Sequence, residues 1–599
     1  MIEASLTLSG VAAPGTTPIS TTVPGAGNGT GDALAAAGII RTGFANYNVR
    51  FRSVTQRAKS RFELREWSES RNDAVERIGL YDICIEETSA SLRTALANFV
   101  SDKTTWAAVK GHYSALIAPD LDQELYKTFF NTLTRRFFKT RGVDSGVEFV
   151  ALDIEPSDRI TRPVARLSYT ANASLRTLFR RVLDDAGFAV AYWDPDRCAA
   201  RIALAVATQL AHWGEQPVRA VELLTTVFYR ERRAYLVGRV FGEELFSPIA
   251  IALKNEEAQA GRSGGIRADA VLTHRDDVAA LFGYTRSYFQ ADLETVGDAV
   301  VFLRTLLPRK PIDELYTVLG RAKQGKTERY RHFFRHLEAR DDRFKLADGE
   351  KGMVMAVFTL PSYPLVFKVI RDKFAPPKNI VRQDVLEKYQ LVFKHDRAGR
   401  LVDAQEFRYL KFPRTRFAPQ ALQELIDTCG STVIVEGDYV VLTHLYIERR
   451  IRPLNLYVKE VSEELAVAAM VDYGQALKDL AYSNIFAGDL LLKNFGVTKG
   501  GRVIFYDYDE LCFVTECRFR ELPTPSDDDD SREIYVAPND LFPEEFPRFL
   551  GLTPAMHKGL MDAHADVFTP RWWVDVQKQV AAGVRREIPP YSAALRLPE

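Results

Sequence analysis

Three oxygen-bearing side chains lie close together in the stretch GDLLLKNFGVTKGGRVIFYDYDE, which covers residues 488–510. Asn494 follows Asp489 by five residues, and Asp507 comes thirteen residues later, after a Gly-Gly turn and an apolar run. Carboxylate and amide oxygens suit Mg²⁺, which in enzymes usually shares its ligand shell with phosphate. Phosphoryl transfer needs a positioned nucleotide, neutralised charge and a carboxylate near the attacking hydroxyl. The spacing therefore predicts a phosphotransfer site. Asp489 would accept the proton or orient the nucleophile, and Asn494 and Asp507 would bind Mg²⁺.

The same spacing occurs in the protein-kinase fold, where the catalytic loop is H-R-D-x-x-x-x-N and the metal-binding motif is D-F-G. Here the segments are A-G-D-L-L-L-K-N and D-Y-D, so the His-Arg pair is missing and Asp509 replaces the glycine. The alternative is a hairpin whose acidic side chains are merely solvated, which the apolar neighbours of Asp507 make unfavourable. Because D-x-x-x-x-N alone is weak evidence, the interpretation depends on the residues upstream.

A glycine-containing loop and a lysine precede these motifs in the order that a nucleotide site requires. Gly349, Gly352 and Val354 form a degenerate G-x-x-G-x-V pattern, and glycines let backbone N–H groups approach phosphates. Lys368 comes sixteen residues after Gly352, inside the apolar run LVFKVI. A snorkelling surface lysine is the alternative, but a strand position after a glycine loop favours a phosphate contact.

Two acidic residues are candidates for supporting roles. Glu387 lies nineteen residues beyond Lys368 in a predicted helix and is the candidate partner of that lysine, with Asp384 one turn away as the alternative. Glu448 lies in VVLTHLYIERR, where a kinase hinge would bind adenine, and is the candidate adenine contact. A solvated strand end is the alternative for Glu448.

The surrounding segments predict the elements that would hold these side chains. Strands are indicated by β-branched and aromatic runs between Gly and Pro, and helices by an apolar period near 3.6 residues. The predicted strands are KGMVMAVFTL, PLVFKVIRDKF and EGDYVVLTHLYIERRIRP, and the predicted helices are IVRQDVLEKYQLVFKHDRAG and VSEELAVAAMVDYGQALKDLAYSNIF. From Leu541 onward the chain is mainly helical. Residues 342–599 are therefore expected to form a protein-kinase-like catalytic domain.

The first half of the chain differs in composition and in hydrophobic periodicity. Residues 1–44 are rich in Gly, Ala, Thr, Pro and Ser and are predicted to be a disordered tail. Residues 45–341 show long segments of helical period and few strand-like alternations before Arg230. The expected fold class is α+β, with a mostly helical N-terminal domain ahead of the kinase-like domain.

Two basic-aromatic clusters fall in this helical half. One is LTRRFFKTRG, with Arg135, Arg136 and Arg141, and the other is YRERRAY, with Arg230, Arg232 and Arg233. A solvated helix face with inward aromatic rings is one interpretation. An anionic effector site is the other, because paired arginines suit phosphate.

Composition excludes several classes of protein. Among 599 residues, 79 Lys and Arg balance 79 Asp and Glu, so no basic excess indicates a nucleic-acid or membrane-surface partner. Five cysteines do not make a disulfide framework, and the spacing of Cys512 and Cys517 does not fit a zinc site. Without a basic n-region at the N-terminus or a long apolar run, a cytoplasmic protein is expected.

Several strings resemble the bacterial isocitrate dehydrogenase kinase/phosphatase family. They are KGMVMAVFTLPSYPLVFKVIRDKF, HLYIERRIRPLN, NIFAGDLLLKNFGVTKGGRVIFYDYDE and PNDLFPEEFPRFL. The resemblance runs from about residue 45 to near the C-terminus and is densest from 345 to 550. It implies a mostly helical N-terminal regulatory domain followed by a bilobal protein-kinase-like domain. It also implies one site that phosphorylates a serine of isocitrate dehydrogenase with ATP and removes that phosphate. This would switch carbon between the citric acid cycle and the glyoxylate bypass. Adenine nucleotides and metabolites are implied as effectors, and a homodimer is a possible assembly.

The resemblance also assigns residues. It implies an ATP loop made of Ala347, Asp348, Gly349, Glu350, Lys351, Gly352 and Met353. It implies Lys368 as the nucleotide lysine, Asp489 as the loop aspartate, and Asn494 and Asp507 as metal ligands. It adds Asp403, in VDAQEF, as a second catalytic aspartate, although spacing alone would make it a turn residue.

One segment departs from the family. A substrate-recognition loop is expected after the metal motif, and here that region carries four consecutive aspartates, Asp527 to Asp530. A solvated loop and an electrostatic contact with a basic patch on the substrate protein are both open interpretations.

Two other functions remain open from the residues. A small-molecule phosphotransferase would share a similar D-x-x-x-x-N and D-x-D arrangement. A nucleotide-sensing scaffold without catalysis would explain the missing His-Arg pair, although Lys368, Asp489, Asn494 and Asp507 together disfavour it. Because D-Y-D lacks the glycine of D-F-G, the metal loop is expected to stay in one state. Switching between activities would then come from the helical domain and the nucleotide.

Overall fold

The computed structural model describes residues 29–598, with gaps at 153–161, 215–216, 259–262, 284–287, 377–379, 396–398, 523–536, 538–539 and 585. The acidic stretch Asp527 to Asp530 therefore lies outside the described residues. The fold class is α+β, as predicted, with a mostly helical first half followed by a two-lobed second half. Among the helices of the described ranges, none combines the length and the apolar character needed to cross a membrane.

Ten helices carry the described part of the first half. They are α1 (Gly29–Glu63), α2 (Trp67–Leu96), α3 (Lys103–Leu116), α4 (Gln123–Phe138), α5 (Leu175–Asp185), α6 (Pro195–Gln209), α7 (Arg275–Leu281), α8 (Val296–Leu306), α9 (Ile312–Val318) and α10 (Ala322–Ala339). Helices α1 to α4 pack together around an aromatic core that includes Phe44, Trp106 and Phe129.

The start of α1 corrects the predicted tail. The helix begins at Gly29, so the prediction of disorder for residues 1–44 is wrong from that residue onward, while residues 1–28 lie outside the described part of the chain. Ala36, Ile40 and Phe44 are buried at intervals of one helical turn. The Ala- and Gly-rich composition looked like low complexity, although its apolar residues repeat at helical spacing and bury one face.

A six-stranded antiparallel sheet lies within the first half and was not predicted. Its strands are β1 (Arg166–Thr170), β2 (Ala220–Leu224), β3 (Phe228–Arg230), β4 (Arg233–Phe241), β5 (Phe246–Glu256) and β6 (Gly265–Leu272). Their order is β1-β2-β4-β5-β6, with β3 paired to β4. In β5, Ala250 and Ala252 enter one core while Ile249 and Ile251 enter another. A strand buried on both faces shows a continuous apolar run, which periodicity cannot distinguish from a buried helix.

The small lobe, residues 342–449, is built on a second six-stranded sheet. Its elements are β7 (Lys345–Leu346), β8 (Met355–Thr359), β9 (Leu365–Ile370), α11 (Arg382–His395), β10 (Ala404–Pro413), α12 (Pro419–Cys429), β11 (Val433–Glu436) and β12 (Tyr439–Arg449). The order is β10-β12-β9-β8-β7, with β11 on β12. Strand β9 is thus central, between β8 and β12, so a residue on it is held by both neighbours.

The large lobe, residues 450–598, is mainly helical. Its elements are β13 (Arg452–Pro453), α13 (Leu454–Glu460), α14 (Glu463–Tyr482), β14 (Ile485–Phe486), β15 (Phe495–Val497), β16 (Val503–Phe505), β17 (Cys512–Phe513), β18 (Arg518–Phe519), β19 (Asp540–Leu541), α15 (Pro554–His564) and α16 (Pro570–Ala581). The short β15–β16 hairpin turns at Gly501, whose φ of 77° lies in the left-handed region that favours glycine.

Helix α10 and the C-terminal segment both connect the halves of the molecule. Helix α10 packs on the small-lobe sheet, where Phe333 and Leu337 are buried in its core and the Phe334 ring stacks on Phe412. The C-terminal segment returns to the first half, where Glu587 and Tyr591 contact the buried Arg233 of β4. The regulatory half is thus anchored to the small lobe at one end and to the large lobe at the other.

Candidate active site

The loop around Asp489 is shaped by its own backbone. The Leu491 N–H donates to Asp489 Oδ1 at 3.0 Å, and Asn494 Nδ2 donates to the Asp489 carbonyl at 3.2 Å. Gly488 has a φ of 78°, and a Cβ placed there would lie 2.5 Å from the Cβ of Glu510. The glycine therefore lets the predicted catalytic loop pass against the segment that follows Asp507, so the two motifs lie side by side.

The β15–β16 hairpin brings Asn494 and Asp507 to the same end. Phe495 pairs with Phe505, and the Tyr506 N–H donates to the Asn494 carbonyl at 3.1 Å, one residue before Asp507. Asn494 is 5% exposed, and Asp507 is partly buried. The predicted metal ligands therefore lie on neighbouring, hydrogen-bonded segments, as a shared ion would require.

Lys368 on β9 is bound in the cleft by a residue other than the predicted one. Its Nζ lies 2.7 Å from Glu448 Oε2 and donates to the Tyr506 carbonyl at 2.7 Å. Glu387 is exposed and bonds Gln383 instead, while Asp384 accepts from the Val381 N–H at the start of α11. The predicted lysine partner is therefore wrong, because the side chain of Glu387 is on the solvent side of α11.

Glu448 lies inside the small lobe. Strands β9 and β12 pair with Glu448 opposite Val366, and the Glu448 side chain is 1% exposed. Burial raises the pKa of Glu448, and the Lys368 ammonium opposes that shift. The Tyr389 hydroxyl donates to its carboxylate at 3.5 Å. Glu448 is therefore not a solvated strand end, and that alternative is wrong. Its carboxylate binds Lys368. The adenine contact stays a prediction.

The predicted ATP loop, residues 347–353, connects β7 to β8 and is largely exposed. Gly349 has a φ of 109°, a conformation that side chains disfavour. Glu350 forms an ion pair with Lys493 at 3.0 Å, and Asp348 lies 3.5 Å from Arg452. Since Lys493 belongs to the predicted catalytic loop and Arg452 follows β12, residues 347–353 lie over the cleft between the lobes.

Asp403 is brought to the same region. It precedes Ala404, which pairs with Glu448 across β10 and β12, and its charge contributes to the raised pKa of Glu448. Arg329 Nη2 of the regulatory helix α10 lies 3.8 Å from Asp403 Oδ2, and Arg329 Nε donates to Asp313 at 2.7 Å. Sequence reasoning missed Arg329, because nothing in the sequence relates it to a strand in another domain.

The donor atoms of the two predicted metal ligands suit Mg²⁺. Within the described ranges, no group of three or more His, Cys, Asp or Glu side chains could hold a metal ion. Asn494 and Asp507 supply one amide and one carboxylate, which are hard oxygen donors. Mg²⁺ is commonly bound by one or two carboxylates, with waters and substrate phosphates completing the shell. These residues therefore fit an ion that arrives with a nucleotide.

Most arginines of the two basic-aromatic clusters are bound by other protein groups, and the two clusters do not form one site. Arg233 is buried, with Asp269 2.8 Å from its Nε and with Glu587 as a second partner, and Arg230 donates to the Leu281 carbonyl at 3.0 Å. Arg230 and Arg233 of the second cluster are therefore internal rather than part of a solvated face. In the first cluster, Arg135 binds Glu148, Arg136 binds Glu86 and Arg141 binds Glu436.

Arg232 is different from its neighbours. Its guanidinium lies 5.9 Å from the centroid of the Trp67 ring. It lines a cavity of about 440 Å³ between the start of α2 and the end of α16, and the other charged lining residues are Arg65, Arg71, Glu66 and Glu69. One member of the predicted effector cluster therefore borders a cavity with three arginines.

Both halves of the chain match family models. The kinase-domain model of the isocitrate dehydrogenase kinase/phosphatase (AceK) family matches residues 342–593, and its regulatory-domain model matches residues 37–341. A protein named isocitrate dehydrogenase kinase/phosphatase from Xanthomonas euvesicatoria pv. vesicatoria is 55% identical over 571 residues, which cover 94% of this chain and 98% of the relative. One of the same name from Anaeromyxobacter dehalogenans is 44% identical over 581 residues, with the same coverage.

Proposed function

Since the chain belongs to the isocitrate dehydrogenase kinase/phosphatase family, we infer that it phosphorylates a serine of isocitrate dehydrogenase with ATP and removes that phosphate at the same site. Phosphorylation inactivates the dehydrogenase, so the enzyme controls the branch between the citric acid cycle and the glyoxylate bypass. The observation that carries this proposal is the contact of Lys368 with both Glu448 and the Tyr506 carbonyl. It joins the nucleotide lysine to the segment bearing Asp507.

In the kinase direction, each predicted residue has a role that its position supports. The loop 347–353 covers the phosphates from the small lobe, and Lys368 binds them from β9. Asp489 accepts the proton of the serine hydroxyl or orients that hydroxyl. Asn494 and Asp507 hold Mg²⁺, which when bound neutralises phosphate charge.

Glu448 fixes the lysine. A flexible lysine side chain carries substantial rotamer entropy, and an ion pair at 2.7 Å inside the lobe removes that freedom before the nucleotide binds. Glu448 lies at the end of β12, where the adenine contact was predicted. A direct adenine contact would require the carboxylate to leave Lys368.

In the phosphatase direction, we propose that ADP and Mg²⁺ stay bound and that Asp403 positions the attacking water. That water would attack phosphoserine directly, or would take the phosphoryl group after its return to ADP. A second carboxylate beyond the kinase set supports this role. Arg329 holds Asp403 from the regulatory domain at 3.8 Å, so movement of α10 would reach the phosphatase group directly. If Asp403→Ala lost kinase and phosphatase activity to the same extent, the phosphatase-specific role would be wrong.

Effectors, assembly and location are further parts of the proposal. Adenine nucleotides would bind in the cavity bordered by Arg65, Arg71, Arg232 and Trp67, where guanidinium groups suit phosphate and the indole suits a base. Quenching of tryptophan fluorescence by AMP, lost in Arg232→Ala, would be the expected result, and equal quenching in the variant would contradict it. Light scattering tests for a homodimer, and cell fractionation tests the cytoplasmic location.

The decisive experiment incubates the enzyme with Mg-ATP and isocitrate dehydrogenase, then with ADP and the phosphorylated product. We expect label on the dehydrogenase in the first step and its release in the second. Labelling of small alcohols or sugars instead would favour a small-molecule phosphotransferase. An Asp489→Ala variant that kept every signalling output would favour a nucleotide-sensing scaffold without catalysis.

A further inference from the structure

Two of the five cysteines lie with their sulfur atoms in contact. The Sγ atoms of Cys512 and Cys517 are 3.6 Å apart, both thiols are free, and both residues are partly exposed. Cys84, Cys198 and Cys429 are also free but buried. The phosphotransfer roles assigned above do not use the contacting pair, so its placement calls for another explanation.

The pair is attached to both catalytic segments. Cys512 comes five residues after Asp507 and opens β17, which pairs with β14 so that Cys512 lies opposite Phe486. Phe486 comes three residues before Asp489. Glu510, between Asp507 and Cys512, packs against Gly488 of the catalytic loop. A displacement of Cys512 would therefore reach the metal segment along the chain and the catalytic loop across β14.

We propose that Cys512 and Cys517 form a reversible disulfide site, oxidised by a peroxide, whose closure slows phosphoryl transfer. Peroxide-sensing cysteines are accessible and have a resolving thiol nearby, and both conditions hold here. Disulfides in otherwise reduced proteins are usually transient and regulatory, which agrees with the free thiols of this chain. The site adds redox control to the enzyme without using any of its phosphate-binding residues.

The chemistry balances with hydrogen peroxide as the oxidant. The hydrogen bond from Cys517 lowers the pKa of Cys512, which makes Cys512 the attacking thiolate. It attacks a peroxide oxygen, the O–O bond breaks, and the hydroxide that leaves takes up a proton to become water. The Cys517 sulfur then attacks the resulting sulfenic acid of Cys512, the S–S bond forms, and a second water leaves with the Cys517 proton. Two thiols lose two electrons and two protons, and one peroxide becomes two waters.

Closure must bring the two sulfur atoms together, and the contacts indicate which side shifts. A disulfide bond is about 2.05 Å long, so the sulfur atoms must approach by roughly 1.5 Å. The Cys517 side is anchored, because Gln577 of α16 donates to the carbonyls of Val514 and Cys517 at 2.8 and 2.7 Å. Cys512 on the two-residue strand β17 is therefore the end that shifts. A misplacement of about 1 Å can cost on the order of 100-fold in rate.

The first test is chemical and independent of catalysis. Trypsin cleaves after Arg502 and Arg518, so both cysteines fall in one peptide, residues 503–518. After brief treatment of the whole protein with hydrogen peroxide, we expect that peptide to become lighter by two hydrogen atoms and dithiothreitol to reverse the change. The three buried cysteines should stay unmodified. Recovery of the peptide only as reduced thiols, or as an irreversible sulfinic acid, would overturn the proposal.

The second test measures kinase and phosphatase rates after the peroxide has been removed with catalase, so that the dehydrogenase is never oxidised. We expect the wild-type rate to fall at least about tenfold and to recover with dithiothreitol. Cys512→Ser should keep its rate through the same treatment, and Cys517→Ser should accumulate a sulfenic acid that dimedone traps. Formation of the disulfide with an unchanged wild-type rate would overturn the link to catalysis. So would an equal loss of rate in Cys512→Ser.

Discussion

The buried pair of Lys368 and Glu448 allows a sharp test of the active site. Their side chains are 8% and 1% exposed, and the charged atoms are 2.7 Å apart. Glu448→Ala would leave the Lys368 ammonium without its nearest counter-ion in the interior. Removing one partner of a buried pair costs about 3–5 kcal/mol. We therefore expect the free energy of local unfolding of β9 and β12, called here their opening free energy, to fall by about 3 kcal/mol. Native-state hydrogen exchange measures this quantity.

A double variant separates the effect of the uncompensated Lys368 charge from the effect of lost side-chain packing. Lys368→Met combined with Glu448→Leu replaces both charges by apolar side chains of similar size. Such replacements are often neutral or stabilising, so most of the lost opening free energy should return. Kinase activity should not return, because methionine cannot bind phosphate, and kcat should stay at least about 100-fold below wild type. The dehydrogenase-labelling assay measures that rate.

Glu387→Ala is the matched control, since Glu387 is the acidic residue that sequence spacing favoured. It is exposed and contacts Gln383, so its removal should change the opening free energy by less than about 0.5 kcal/mol and leave kcat near wild type. Equal losses in Glu387→Ala and Glu448→Ala would refute the assignment of Glu448. A double variant less stable than Glu448→Ala would refute the reasoning about an uncompensated charge.

Three other predictions concern the regulatory contact, pH and the metal. Arg329→Met should lower phosphatase kcat more than kinase kcat, because Asp403 loses its cationic neighbour, and Arg329→Lys should restore part of it; equal losses in both activities would contradict this. Burial lowers the pKa of Lys326 from 10.5 to about 7. The unfolded chain therefore binds the extra proton between these values, and stability should rise with pH above about 7. In urea titrations at several pH values, the unfolding free energy of Lys326→Met should lack that part of the increase with pH. An increase as large as in the wild type would contradict the lowered pKa of Lys326. Asp507→Asn should raise the Mg²⁺ concentration for half-maximal kinase activity by at least about tenfold, and an unshifted Mg²⁺ titration would exclude it as a ligand.

Local features of the catalytic segments were predictable from the sequence. Spacing along the chain is enough to predict the order of four motifs, which are the glycine loop, the strand lysine, the catalytic loop and the metal segment. The β15–β16 hairpin forms where the Gly-Gly turn follows a polar stretch, and it brings Asn494 and Asp507 to one end. Such motifs are predictable because hydrogen bonds between neighbouring segments fix their geometry.

Contacts between distant segments were not predictable. Whether Glu387 or Glu448 reaches Lys368 depends on how α11 is rotated against the sheet, and the chain separation of each residue carries no such information. The regulatory-domain sheet was missed because β5 is buried on both faces. Arg329 reaches Asp403 only because α10 packs on the small lobe. Tertiary packing decided each of these cases.

The contacts around Asp507 bear on how one site serves two reactions. Lys368 binds the Tyr506 carbonyl at 2.7 Å, the Tyr506 hydroxyl donates to the Lys493 carbonyl, and the Tyr508 hydroxyl donates to the Val402 carbonyl. Both neighbours of Asp507 are thus tied to other segments, which supports the expectation that a D-Y-D loop without glycine stays in one state. If the metal segment is fixed, the choice between kinase and phosphatase must be made at a group that can move relative to it. The contact between Arg329 and Asp403 offers such a choice, because Arg329 belongs to the regulatory helix α10, whereas Val402 beside Asp403 is bonded to the metal segment. Two structures with different nucleotides in which Asp507 had swung out of the cleft would contradict this.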